Sequence, residues 1–245
     1  VRAPLAKAIG ESRLLLGAEI LQEGAVEGWW VPAFIIEAHP EIQTVDDALA
    51  RPDLFPSPRS PGKAAIQSCP DDWSCQATTR NLFRAFGAAD KGFELLEPAT
   101  AEALDASIAS AFETKTGWLG YYWAPTAALG KYPMARLSFG VTHNQVEWEN
   151  CTAVPGCASP QRNSYPTSQA FTLVTQEFTE KAASAMDYIR TRQWSNATIN
   201  GILAWQEENR ASNRETAEHF LKIHEEVWSK WVLPVVQERV RTALQ

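Results

Sequence analysis

Short apolar runs alternate with amphipathic segments through the middle of the chain, and this alternation limits the possible folds more than any other feature. Residues 63–67 and 92–98 have the composition of strands, and residues 76–87 between them carry apolar side chains at helical spacing. A second helical pattern, 100–114, leads into 117–123, which is apolar on both faces like a parallel strand covered by helices. Strand, helix and strand in succession predict an α/β fold with right-handed crossovers.

The last third of the chain changes to a helical pattern. Three segments, 177–193, 196–209 and 213–232, follow one another with little interruption. We expect this helical tail to pack on a domain that begins earlier in the chain. The sequence has ten tryptophans, and most should lie in cores, as large aromatic side chains usually do. Those expected in the core are Trp118, Trp194, Trp228 and Trp231.

The four cysteines form two local pairs, each with five intervening residues in a loop that contains proline. This spacing favours the disulfides Cys69–Cys75 and Cys151–Cys157, and therefore an oxidising compartment. A zinc site more often shows two-residue gaps with histidine partners, so a metal site is the weaker alternative, and free thiols are another.

Charge and hydropathy exclude several classes of protein. The net charge of −7 argues against a nucleic-acid or anionic-membrane partner, since both require clustered Lys and Arg. No apolar run approaches the roughly 20 residues that cross a bilayer. The chain also lacks the common nucleophile, phosphate-loop, dinucleotide and zinc-protease motifs, so we expect no enzyme activity, no cofactor and no metal.

Several tryptophans stand in loops or at strand ends, beside proline or cysteine, where α/β proteins bind ligands. They occur within "EGWWVPAF", "CPDDWSC" and "GYYWAPT". With "HPEI", "LGKYPM" and "ILAWQEEN", these motifs make the chain resemble the substrate-binding proteins of ABC importers for glycine betaine, choline and trimethylamine N-oxide. The order of the motifs is most similar to the trimethylamine N-oxide branch.

The resemblance implies a two-lobed periplasmic-binding-protein-like (type II) α/β fold with a ligand cleft between the lobes. Residues 1–31 and 140–245 would form lobe I, and residues 32–139 would form lobe II. Such proteins normally begin with two further βα units, so lobe I is expected to lack about 60–70 residues, at about 30 residues for each unit. The implied partners are a small methylated amine and a membrane ABC permease. The resemblance also implies that the protein is a monomer and lies in the periplasm.

The resemblance matches Trp73 and Trp123 to rings of an aromatic box. A box suits a methylated ammonium, which has no N–H to donate and is held by the negative faces of rings. Closing the cysteine loop should fix the direction of Trp73 and reduce the ordering entropy lost on binding. Strand alternation places Tyr121 on the same face as Trp123, as a weaker candidate. Trp30 is the candidate for a third wall of the box, and its neighbour Trp29 is an equally possible candidate.

A helix that starts near residue 76 leaves the backbone N–H groups of Ser74 and Cys75 available for the oxygen of a ligand. The sequence leaves open which methylated amine binds. Two other interpretations also remain open: an enzyme that stacks small amines or sugars on tryptophan, and a truncated fragment that binds no ligand.

Overall fold

The computed structural model describes residues 3–245, which divide into two compact units. Unit 1 consists of Val1–Val26, Pro125–Gly130 and Thr167–Gln245, of which the first two residues lie outside the described part. Unit 2 consists of Glu27–Ala124 and Lys131–Pro166.

The elements are numbered in chain order. The strands are β1 (Leu14–Glu19), β2 (Val26–Pro32), β3 (Ala64–Gln67), β4 (Phe93–Leu96), β5 (Gly120–Ala124), β6 (Met134–Arg136) and β7 (Phe171–Thr175). The helices are α1 (Ala3–Gly10), α2 (Ala33–Ala38), α3 (Val45–Leu49), α4 (Cys75–Ala85), α5 (Ala101–Thr114), α6 (Ala127–Lys131), α7 (Gln145–Glu147), α8 (Gln176–Lys181), α9 (Ala183–Thr191), α10 (Asn196–Asn209), α11 (Asn213–Ile223), α12 (Glu225–Trp228) and α13 (Pro234–Ala243).

Unit 2 is built around a mixed sheet with the strand order β4-β3-β5-β2-β6. Strand β3 runs parallel to both β4 and β5, while β6 is antiparallel to β2. Helix α4 connects β3 to β4, and α5 connects β4 to β5, which are the crossovers that parallel neighbours require. The predicted α/β class is therefore confirmed, as are the predicted strands β3, β4 and β5 and the two helices between them.

Local sequence signals set the ends of the helices in unit 2. Helix α3 begins with a capping box, in which the Thr44 side chain accepts from the Asp47 backbone N–H and the Asp47 carboxylate accepts from the Thr44 backbone N–H. Helix α4 ends where Gly87 adopts a φ of 62°, a left-handed conformation that suits glycine at this position. These ends hold the loops of the unit at defined places.

Buried side chains lie on both faces of the sheet in unit 2, and the largest cluster packs on the face that carries Trp29. This cluster contains Trp29, Phe86 and Phe139, whose ring centroids lie 5.5 to 6.3 Å apart. Trp29 has no exposed surface. Trp118 is also buried, as predicted, and its indole Nε1 donates to Ser107 Oγ at 2.9 Å.

Unit 1 combines a two-stranded antiparallel sheet, β1 with β7, and the helical tail. Gly17 in β1 allows α9 to approach closely, because an added Cβ would lie 2.6 Å from Ile189 Cγ2. The tail has its own core, in which Trp231 lies 4.8 Å from Trp194 and 5.6 Å from Phe220 between ring centroids. Trp228 belongs to the same core, so the tail tryptophans pack as predicted.

The bounds of the two predicted lobes, with crossings at residues 31/32 and 139/140, stay a prediction. The compact units are divided elsewhere along the chain, since unit 2 consists of Glu27–Ala124 and Lys131–Pro166. Residues 140–166 belong to unit 2, and within them the carbonyls of residues 151, 152, 154, 157 and 158 accept hydrogen bonds from side chains of α4. The tail is also more broken than predicted, with non-helical backbone at Ala182 and His224.

Candidate functional site: an aromatic cluster in unit 2

The first cysteine loop holds Trp73 between a strand and a helix. A disulfide joins Cys69, just after β3, to Cys75, the first residue of α4, with the Cα atoms 6.2 Å apart. The Trp73 backbone N–H donates to Pro70 O, and Trp73 O accepts from the Gln76 N–H at 3.1 Å. Both cysteines are buried, so the loop is tied to the core at its two ends.

Strand alternation in β5 brings two further rings to this loop. Tyr121 and Trp123 lie on the face that packs against the core, and their rings are nearly parallel with centroids 6.1 Å apart. The indoles of Trp73 and Trp123 meet at 70° with centroids 5.0 Å apart. Two rings in this arrangement form adjacent walls of a corner, and both indoles remain partly exposed.

Two rings that the sequence analysis did not select extend this surface. Tyr165 lies 5.9 Å from Tyr121, and Trp148 lies 5.4 Å from Tyr165, between ring centroids. We call Trp73, Tyr121, Trp123, Trp148 and Tyr165 the ring cluster. Neither Tyr165 nor Trp148 lies in a strand or a long helix. No periodic pattern in the sequence therefore indicates where these two side chains point.

The second cysteine loop attaches this additional segment to α4. A disulfide joins Cys151 to Cys157, and the buried Asn81 of α4 donates its Nδ2 hydrogens to Cys151 O, Thr152 O and Val154 O at 2.9 to 3.1 Å. The guanidinium of Arg84, one turn later on α4, donates to Cys157 O. Both predicted disulfides are therefore present, and each holds part of the ring cluster against the same helix.

Burial raises the pKa of both tyrosines of the cluster. Desolvation raises the pKa of the Tyr121 hydroxyl well above its ordinary value, and the neighbouring Glu27 raises it further. Desolvation likewise raises the pKa of Tyr165, whose hydroxyl shares a hydrogen bond with Thr79 Oγ1 at 3.3 Å. Both rings therefore remain uncharged phenols across the physiological range of pH.

The remaining predicted site residues lie at different places. Ser74 is exposed and stands at the N-cap position of α4 without a side-chain capping bond, and Cys75 is the first residue of this helix, so their N–H groups lie at its N-terminus. Trp30 lies on the face of β2 opposite Trp29, and its Nε1 donates to Tyr122 O at 2.9 Å. Within residues 3–245, Trp30 has no ring contact with the ring cluster, so its role in a box stays a prediction.

Two cavities elsewhere in the molecule do not involve these rings. One, of about 390 Å³, lies in unit 2 beside Phe55, Ser107 and Trp118. The other, of about 420 Å³, lies in unit 1 beside Tyr188 and Trp231. Neither cavity is lined by a residue of the ring cluster.

The described residues contain no group of His, Cys, Asp and Glu side chains placed to hold a metal ion. No helix between residues 3 and 245 is both long enough and apolar enough to cross a bilayer.

Solved structures with a similar fold are binding proteins of ABC transporters. The chain aligns over 99% of its length with 77% of a choline-binding protein solved in complex with choline, at 16% identity and a TM-score of 0.53. The glycine betaine/L-proline-binding protein ProX of Borrelia burgdorferi gives the same coverage and identity, with a TM-score of 0.52. Lactococcal OpuAC, in its closed form complexed with glycine betaine, aligns over 95% of this chain and 76% of its own, at 14% identity and a TM-score of 0.52.

Comparison with curated protein sequences finds no match. The family model described as the substrate-binding domain of ABC-type glycine betaine transport systems matches residues 2–223. This match covers most of the sequence, and the structural neighbours share the α/β architecture of such domains. The chain therefore belongs to the family of substrate-binding domains of ABC-type glycine betaine transport systems.

Proposed function

We propose that this protein is the substrate-binding component of an ABC importer and binds a small methylated amine on the ring cluster. The candidate ligands are trimethylamine N-oxide, glycine betaine and choline. The observation that carries the proposal is the corner formed by Trp73 and Trp123, with ring centroids 5.0 Å apart at 70°. Family membership supports the transport role and implies a membrane permease as partner.

The corner suits a methylated ammonium because this cation presents methyl groups in every direction. Each ring face within about 6 Å of the charge contributes roughly 0.5–2 kcal/mol, and two faces at a large angle contact the cation at once. The rings must stand at fixed angles before the ligand arrives, since ordering them on binding lowers the affinity. The Cys69–Cys75 disulfide and the backbone bonds of Trp73 provide this order.

The three candidate ligands differ at their other end, which carries an N-oxide oxygen, a carboxylate or a hydroxyl. The N-terminus of α4 offers the backbone N–H groups of Ser74 and Cys75 to such an oxygen, and the helix dipole favours negative charge there. Trp73 immediately precedes these two residues. One short loop would therefore provide both a wall for the methyl groups and donors for the oxygen.

The proposal includes the setting of the protein as well as its ligand. Two disulfides favour an oxidising compartment, so we place the protein in the periplasm or at the outer surface of the cell. We propose that it acts as a monomer without a cofactor and without enzyme activity. Its ligand would be delivered to the permease and released unchanged.

Isothermal titration calorimetry of the purified chain with the three ligands tests the proposal. We expect at least one of them to bind with a Kd in the micromolar range or below, and to compete with the other two for a single site. Absence of heat with all three, in protein that circular dichroism and a cooperative melting transition show to be folded, would overturn the proposed function. Saturable binding of a sugar of similar size would point to a different substrate class.

A further inference from the structure

One carboxylate lies beside the ring cluster. Glu27 stands on β2, two residues before Trp29, and alternation places both side chains on the face that carries the core. The Tyr121 hydroxyl donates to Glu27 Oε1 at 2.7 Å. Because Tyr121 is 4% exposed and its ring contacts Trp123 and Tyr165, this bond holds the carboxylate at the edge of the cluster.

No cation of the described residues neutralises this carboxylate. None of the ion pairs within residues 3–245 includes Glu27, although its side chain is partly buried. The nearest guanidinium on the adjacent strand belongs to Arg136, which aligns with Trp30 in the β2–β6 ladder and packs over Gly28. By strand alternation Trp30 and Arg136 lie on the opposite face of the sheet from Glu27.

We infer that Glu27 makes the ring cluster selective for methylated amines with a net positive charge over zwitterions of similar size. This inference rests on the proposed function and adds the class of ligand. Choline, with a quaternary ammonium and a hydroxyl, represents the favoured class, and glycine betaine, with a carboxylate, represents the disfavoured one.

The physical reason is that rings and carboxylate recognise different properties. Ring faces attract the trimethylammonium group of choline and of glycine betaine alike, because both present the same methyl groups and the same local charge. The Glu27 charge acts over a longer range and responds to the whole ligand, so the carboxylate of glycine betaine offsets part of the attraction to its ammonium. Partial burial of Glu27 increases the difference in its attraction to choline and to glycine betaine, because the effective dielectric constant around a partly buried charge is lower than in water.

Calorimetry of wild type and Glu27→Gln with choline, tetramethylammonium and glycine betaine tests this inference. Gln keeps the size of the side chain and an oxygen that accepts from Tyr121, while removing the charge. We expect the Kd of choline and tetramethylammonium to rise about tenfold, equivalent to about 1.4 kcal/mol. The Kd of glycine betaine should change less than about threefold, because its opposite charges offset each other.

The matched control is Glu37→Gln, which changes the net charge equally at an exposed position on α2. It should leave all three affinities unchanged. A second measurement needs no variant: wild type should bind choline more tightly than glycine betaine, and the preference should shrink as salt is raised.

Equal losses for choline and glycine betaine in Glu27→Gln, or tighter binding of glycine betaine by wild type, would overturn the inference and leave the proposed function standing. If folded wild type binds neither trimethylamine N-oxide nor any of these three ligands, the proposed function itself fails. The two failures are therefore distinguishable in one set of titrations.

Discussion

Replacing Trp123 by Leu separates recognition of a cation from filling of an apolar corner. Leu keeps apolar contact but has no π face, so the variant loses one ring contribution of about 0.5–2 kcal/mol. Trp123 also meets Trp73 edge to face with centroids 5.0 Å apart. This contact orients the Trp73 ring before the ligand arrives, and its loss frees that ring to reorient.

These two effects together predict that the Kd of the bound methylated amine rises about 10- to 100-fold, or about 1.4–2.7 kcal/mol. Trp123→Phe retains a face that can contact the cation and should cost less than about fivefold. The assay is calorimetric titration of each variant after its folding has been checked by thermal melting. Trp205→Leu is the control, because Trp205 stacks on His219 in unit 1 and is not one of the five rings of the cluster.

A neutral ligand completes the test. The choline analogue 3,3-dimethyl-1-butanol has the same shape with a tert-butyl group in place of the trimethylammonium, and it should bind wild type far more weakly. Equal binding by the Leu and Phe variants, or equal binding of the neutral analogue and the cation, would refute the reasoning. The rings would then act only as apolar surface.

Three further predictions concern the framework around the rings. Replacing Cys69 and Cys75 by Ser should lower the free energy of unfolding by about 2 kcal/mol, from loop-closure entropy for a short loop, and weaken ligand binding; denaturant titration and calorimetry measure the two effects. Asn81→Leu removes the donors to three carbonyls, two of them buried, and should lower the melting temperature by several degrees while exposing residues 151–157 to proteolysis. Hydrogen bonds from Arg59 and Ser57 lower the pKa of Glu94 to about 2. The stability that this carboxylate contributes is therefore present above about pH 4.5 and fades as the pH falls toward 2, so Glu94→Gln should flatten that part of the curve of unfolding free energy against pH.

Local rules in the sequence determine much of the framework. The apolar strands at 63–67 and 117–123, separated by helical segments, require parallel pairing, and β3 and β5 are indeed neighbours. Two cysteines in one short loop can bridge wherever the loop folds, so both disulfides follow from spacing. Period-two alternation also places Tyr121 and Trp123 on one face before any tertiary contact is known.

Alternation does not determine which of two adjacent side chains meets a third element. Trp29 and Trp30 must point to opposite faces of β2, but only the packing of the sheet decides that Trp29 lies with Phe86 and Phe139 in the core. The same limit applies to Glu27, which nothing in its local sequence distinguishes from the other acidic residues of the chain.

The sequence by itself determined the α/β class, the two cysteine loops and the pair Tyr121 and Trp123, because each depends on periodicity or on short separation along the chain. Only the tertiary structure decided that Trp148, Tyr165 and Glu27 join them. The Tyr121 hydroxyl meets a carboxylate 94 residues away, and Tyr165 reaches the cluster because Asn81 binds a loop 70 to 73 residues further along. Such contacts arise from the packing of whole elements, in which each side chain depends on many distant neighbours at once, and no local pattern of residues encodes them.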